Sequence, residues 1–136
     1  MNASKRTISL LDIGGEGRYA TALNLNPNAE KTLGPEKGQP IPNWLNGRAE
    51  DIPLPDNSVQ TVVVERTPVR DEALDEITRV IADDGGTMVF RHVVADGINP
   101  HQRIRERIEG IVDMEDIELD GQQVQQLVIR RSGSCD

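Results

Sequence analysis

The chain has 136 residues, enough for one domain with a real core but small for an enzyme that must also enclose a substrate. A formal net charge of −8 argues against a nucleic-acid partner, whose phosphates need Lys and Arg, and with Tyr19, Trp44 and Phe90 as the whole aromatic complement there is little to stack on a flat ligand. The single Cys135 excludes an internal disulfide or cysteine metal site, and no apolar run approaches the roughly 20 residues needed to span a bilayer. No signal peptide is visible, so the expectation is a cytoplasmic protein without a membrane span; a domain cut from a longer secreted protein would read the same.

Thr7 to Ile13 is almost continuously apolar, as in a strand covered on both faces of a parallel sheet. It runs into the glycine turn Gly14-Gly15-Glu16-Gly17, where the backbone is free to take positive φ and approach a ligand. A tight turn without a ligand is the alternative. The stretch Arg18 to Pro27 is too short for both a crossover helix and a second strand, so either the helix is reduced to a loop or the strand is missing. Ala22, Leu23 and Leu25 before Asn26-Pro27 favour the loop followed by a strand end.

Asn28 to Asn43 holds Gly34, Pro35, Gly38, Pro40 and Pro42 and reads as a long irregular loop, a potential lid. Trp44-Leu45 is expected to anchor its far end, with a brief edge strand within Leu45 to Ala49 and a Pro-rich turn at Ile52 to Ser58. Val59 to Glu65 is a β-branched central strand. Thr67-Pro68 predicts a helix start, with Val69, Ala73, Leu74, Ile77, Val80 and Ile81 on one apolar face and a stop at Asp84-Gly85-Gly86.

Thr87 to Val94 is a further apolar strand, and Asn99-Pro100 opens a second helix with Ile104, Ile108, Ile111 and Val112 on one side. Arg103, Arg105 and Arg107 alternate with acids as on a solvated helix face. Met114 to Leu119 and Val124 to Arg130, joined at Asp120-Gly121, form an antiparallel hairpin. The fold class is therefore α/β: a Rossmann-like three-layer sandwich in a single domain, mostly parallel, with the first helix shortened or missing.

Three stretches in this order resemble class I S-adenosylmethionine-dependent methyltransferases: Asp12 to Gly17 as the cofactor turn, Gly47 to Val59 as the adenine-side loop, and Glu76 to Ile81 with Gly85-Gly86 as the helix before the next strand. Together they span about Leu10 to Val94. The resemblance implies S-adenosylmethionine as cofactor, with Gly14, Gly15 and Gly17 under its methionine and ribose and Asp12 orienting the turn. It also implies Asn24 or Asn26 near the ribose hydroxyls, Ala49 and Glu50 beside the adenine, and Glu65 at the floor of the site. Gly14 and Gly15 are adjacent where the family alternates its glycines, Asn replaces the family's ribose-binding acid, and Arg48 stands where the family has an acid.

Glu65 is read either as a binding or base carboxylate at a strand's carboxyl end or as a helix-entry carboxylate. His92 is the candidate general base, or else a packed, hydrogen-bonded residue. His101 is expected to be exposed, and the two histidines make no recognisable metal site. The readings carried forward are a small methyltransferase of unknown acceptor, a non-catalytic relative with a protein partner, and an effector or toxin module of a larger secreted protein.

Overall fold

The computed structural model describes residues 8–94 and 99–131. Its elements in chain order are β1 (Ile8–Ile13), β2 (Leu23–Asn26), β3 (Trp44–Asn46), β4 (Val59–Glu65), α1 (Asp71–Val80), β5 (Thr87–His92), α2 (Pro100–Arg107), β6 (Ile111–Leu119) and β7 (Gln122–Arg130). The seven strands make one sheet in the order β3-β2-β1-β4-β5-β7-β6, in which β1 to β5 are parallel and β6 and β7 antiparallel. The Rossmann-like α/β expectation holds. Cys135 lies outside the described residues.

Alternation along the strands sends Leu11, Ile13, Val62, Val64, Met88, Phe90, Leu127 and Ile129 to one face, and these side chains share a core with Ala73, Leu74 and Ile77 of α1 and Ile104 of α2. Both helices therefore cover the same face. The opposite face carries no helix among the described residues, so the second helical layer of a three-layer sandwich is missing there. The reason is the β1–β2 connection: residues 14–22 return the chain to a parallel neighbour as a loop, with no crossover helix.

Several boundaries depart from expectation. Thr67-Pro68 does not start α1; the chain stays non-helical until Arg70, whose extended backbone caps the helix without a side-chain bond, because the Thr67 carbonyl lies 2.8 Å from a His92 ring nitrogen. Ile111 and Val112 belong to β6 and are exposed rather than continuing a helix face. Trp44 is 40% exposed and anchors through its indole N–H, which donates to Asn26 O at 2.8 Å, while Leu45 packs on the core. Arg103 and Arg107 are half-solvated and bridge to Asp71 and Asp75 of α1. Asn99 caps α2 as expected, accepting from His101 N at 3.1 Å, and Asp120-Gly121, both at positive φ, close the hairpin.

The Pro-rich turn is held by α1. Arg79 donates to the carbonyls of Ile52 (2.8 Å) and Leu54 (2.9 Å) and pairs with Asp56, while Glu76, itself bound by Arg79, accepts from Ile52 N at 2.9 Å. These bonds hold the Arg79 guanidinium well above its ordinary range, chiefly through Glu76 and then Asp56. Replacing Arg79 by Met should lower stability by about 2–3 kcal/mol, seen as a lower urea midpoint at unchanged m-value.

Candidate functional site

In an open parallel sheet, ligands bind beyond the carboxyl ends of the strands. Here those ends carry two buried carboxylates. Asp12 lies one residue before the end of β1, beside Val63, and is fully buried; Glu65 ends β4 beside Arg91 and is 4% exposed. A buried carboxylate needs a counter-charge, because its desolvation is otherwise uncompensated. Arg18 supplies it: its Nε and Nη2 donate to the two Asp12 oxygens at 2.9 and 2.7 Å, and Nη1 reaches Glu65 Oε2 at 3.3 Å. Tyr19 Oη donates to Glu65 Oε1 at 2.5 Å, and Arg91 Nη1 donates to the same oxygen (3.1 Å) and to Tyr19 Oη (2.7 Å).

Burial, aided by the neighbouring Glu65 charge, pushes the Asp12 carboxyl above its usual range against the pull of Arg18. Burial, then its bond to Glu65, also raises the Tyr19 hydroxyl, so it stays protonated and donates. The helix-entry reading of Glu65 does not describe this site, since α1 begins six residues later at Asp71. Arg66, next to Glu65, is held at φ +59 and reaches Asp120 at 2.8 Å across the hairpin turn.

The glycine turn sits against this cluster. Gly14 (φ +72) and Gly17 (φ +113) occupy the left-handed region. At Gly15 a Cβ would stand 2.5 Å from the Asp12 carboxyl carbon and press on Asn24 Oδ1, so the backbone approaches closer than any side chain permits. Asn24, paired with Asp12 across β1 and β2, donates through Nδ2 to Pro42 O at 2.7 Å, and its buried Oδ1 has no hydrogen-bond partner among the described residues. Asn26 holds the turn, donating to Gly15 O (3.2 Å) and accepting from Asn28 N (3.0 Å). Ala49 is half-buried and Glu50 exposed in the turn after β3, two strands away from β1.

The 28–43 loop folds over the turn. Glu16 accepts from Thr32 N, Thr32 Oγ1 and Leu33 N, Lys31 pairs with Glu36, and Gly17 packs on Pro42. Between turn and loop lies a cleft of about 260 Å³ lined by Gly14, Gly17, Arg18, Lys31, Leu33 and others. A larger cavity of about 460 Å³ opens beyond β4 and β5, lined by Arg66, Pro68, Val69, His92, Val93, Pro100, Arg103 and Gln122.

His92 walls that cavity and heads a buried relay. Its Nε2 lies 2.8 Å from Thr67 O, its Nδ1 lies 3.0 Å from Nε2 of His101, and Nδ1 of His101 lies 2.9 Å from Gln125 Oε1. The Thr67 carbonyl only accepts, so Nε2 of His92 carries the proton and Nδ1 accepts from His101 Nε2; a neutral His101 then has only a lone pair at Nδ1, which calls for the Gln125 amide to present its NH₂ there in place of Oε1. His101 is therefore buried, 1% exposed, contrary to expectation, because the first turn of α2 lies against β5 and β7.

The donor set suits a ligand that carries positive charge: two buried carboxylates, an unpartnered amide oxygen and a glycine turn of close approach. The space is taken, because Arg18 and Tyr19 stand on the carboxylates and the remaining cleft lies below the ~300–1,000 Å³ usual for a small-molecule site. Neither Arg18, Tyr19, Arg91 nor Arg66 was singled out from the sequence. The one available signal is the Arg18-Tyr19 pair following the glycines where a helix has no room.

Two consequences are measurable. Gly15→Ala should cost about 1–3 kcal/mol by overpacking against Asp12 and Asn24, read from the denaturation midpoint. Burial lowers both His92 and His101 below the ordinary histidine value, so the unfolded chain binds more protons than the folded one as pH falls below roughly 6.5. The stability present above that value is lost on acidification; His101→Gln should flatten the slope of midpoint against pH between pH 7.5 and 5.5.

Comparison with known proteins gives one family. Residues 5–90 match the model of the methyltransferase domain. No match was found among curated proteins. Among solved structures, the [4+2]-cyclase SpnF is similar at 14% identity, with a TM-score of 0.68, over 97% of this chain and 77% of its own. An S-adenosylmethionine-dependent methyltransferase from Thermotoga maritima is similar at 14% identity and TM-score 0.66, over 91% and 82%. The 16S rRNA (adenine(1408)-N(1))-methyltransferase of Catenulisporales acidiphilia is similar at 15% and 0.63, over 98% and 89%. At these identities the likeness is one of fold. The family model covers well over half of the chain, and the protein belongs to the methyltransferase domain family.

Proposed function

We propose that this domain carries out S-adenosylmethionine-dependent methyl transfer, with its acceptor taken in the cavity beside His92. The observation that carries the reading is the juxtaposition, at the carboxyl ends of β1, β4 and β5, of the glycine turn, the Asp12 and Glu65 carboxylates and the 460 Å³ cavity. The cofactor, when bound, supplies a methyl group on a sulfonium and needs from the protein mainly alignment with the acceptor. In this reading Asp12 and Glu65 hold its positive charge, Gly14, Gly15 and Gly17 let the backbone come near, and Asn24 offers its free amide oxygen. Asn26 acts by holding the Gly15 carbonyl, and Ala49 and Glu50 flank the adenine.

His92 has both ring nitrogens engaged, so we assign it to the acceptor wall, where Arg66, Arg103 and Gln122 add donors for an acceptor with oxygen functions. A second reading, the non-catalytic relative, is favoured by one observation: protein donors already occupy all four oxygens of Asp12 and Glu65. Calorimetric titration with S-adenosylmethionine and S-adenosylhomocysteine separates the two. Micromolar binding supports methyl transfer; no binding at millimolar ligand, from protein with an intact unfolding transition, overturns it and leaves an interaction module.

A further inference from the structure

We infer that Arg18 is an internal occupant of the cation seat formed by Asp12 and Glu65, and that the cofactor binds only when Arg18 and Tyr19 leave that seat. This rests on the methyl-transfer reading. The two carboxylates stand on the face of the sheet that carries no helix among the described residues, where the β1–β2 connection is a loop. Left without a counter-charge at 0% and 4% exposure, they would each carry a large desolvation penalty. Arg18 answers both at once: a two-pronged bond to Asp12 and a third donor to Glu65. Tyr19 completes Glu65 and is itself held by Arg91.

Any cationic ligand reaching this seat must take over bonds that Arg18 now makes. Its apparent affinity is its intrinsic affinity reduced by the fraction of molecules in which the seat is vacant. Arg18 is still 32% exposed at its side chain, whereas the carboxylates are not, so the guanidinium is the component with a route to solvent. It borders the 260 Å³ cleft under the 28–43 loop, and its withdrawal would join that cleft to the seat. Arg91, anchored by its Nε to Gln126 Oε1 at 2.7 Å, stays behind and keeps Glu65 partly compensated in the open state.

The test is calorimetric titration of S-adenosylmethionine into the wild-type protein, Arg18→Gln and Tyr19→Phe, with circular dichroism melts on each. The inference expects Arg18→Gln to bind at least about tenfold more tightly than wild type, with Tyr19→Phe tighter by a smaller factor. Unchanged or weaker binding in both variants, alongside measurable wild-type binding, overturns the inference and leaves the methyl-transfer reading standing. Absence of binding in the wild type and in every folded variant overturns both. Where Arg18→Gln does not fold, Tyr19→Phe, which retains every ion pair of Arg18, decides by the same comparison.

Discussion

The structure turns on how two carboxylates survive at the dry carboxyl ends of β1 and β4. Both lie on the face that no described helix covers yet are shut off from water by the neighbouring loop and side chains, and a buried carboxylate is costly unless paired and hydrogen-bonded. Asp12 and Glu65 meet that condition through three neighbours, Arg18, Tyr19 and Arg91, drawn from the loop after β1 and from β5. Because each oxygen has a donor within the chain, the cluster is electrostatically complete without a ligand. That completeness ties the course of the 14–22 loop to the state of the site.

The same constraint explains why a minimal version of this fold holds together. α1 and α2 cover one face, where Phe90 and aliphatic residues from both helices and five strands form the core. On the other face the connection after β1 is a loop whose side chains neutralise charge instead of burying apolar area. The 28–43 loop is in turn fastened to that connection by Glu16 and by the Gly17–Pro42 contact. Turn, loop and carboxylates therefore form one mechanical unit, and a change at Gly15 or Arg18 is felt in all three.

The cavity beside His92 is built by a different set of elements. It depends on the chain remaining non-helical between Glu65 and Asp71, which displaces the start of α1 and exposes the Thr67 carbonyl to His92. The neutral relay from Thr67 through His92 and His101 to Gln125 joins the β4–α1 connection, β5, α2 and β7 without placing a charge in the core. The two parts of the site thus use opposite strategies, paired charges on one side and uncharged rings on the other.

The sequence by itself determined the elements whose cause is local. β4 appears as the β-branched run Val59 to Glu65, α2 begins where Asn99-Pro100 caps it, and the hairpin turns at Asp120-Gly121, because strand alternation, caps and turn conformations depend on residues a few positions apart. The ordered glycine, acidic-proline and Gly-Gly stretches likewise pointed to the family. Only the tertiary structure decided who neutralises whom. Arg18 meets Glu65 across 47 positions and Arg91 meets it across 26, contacts created by sheet register and by a loop path that no local pattern encodes. His101 follows the same logic: its place in the first turn of a polar helix reads as surface, and only the docking of α2 onto β5 and β7 makes it core.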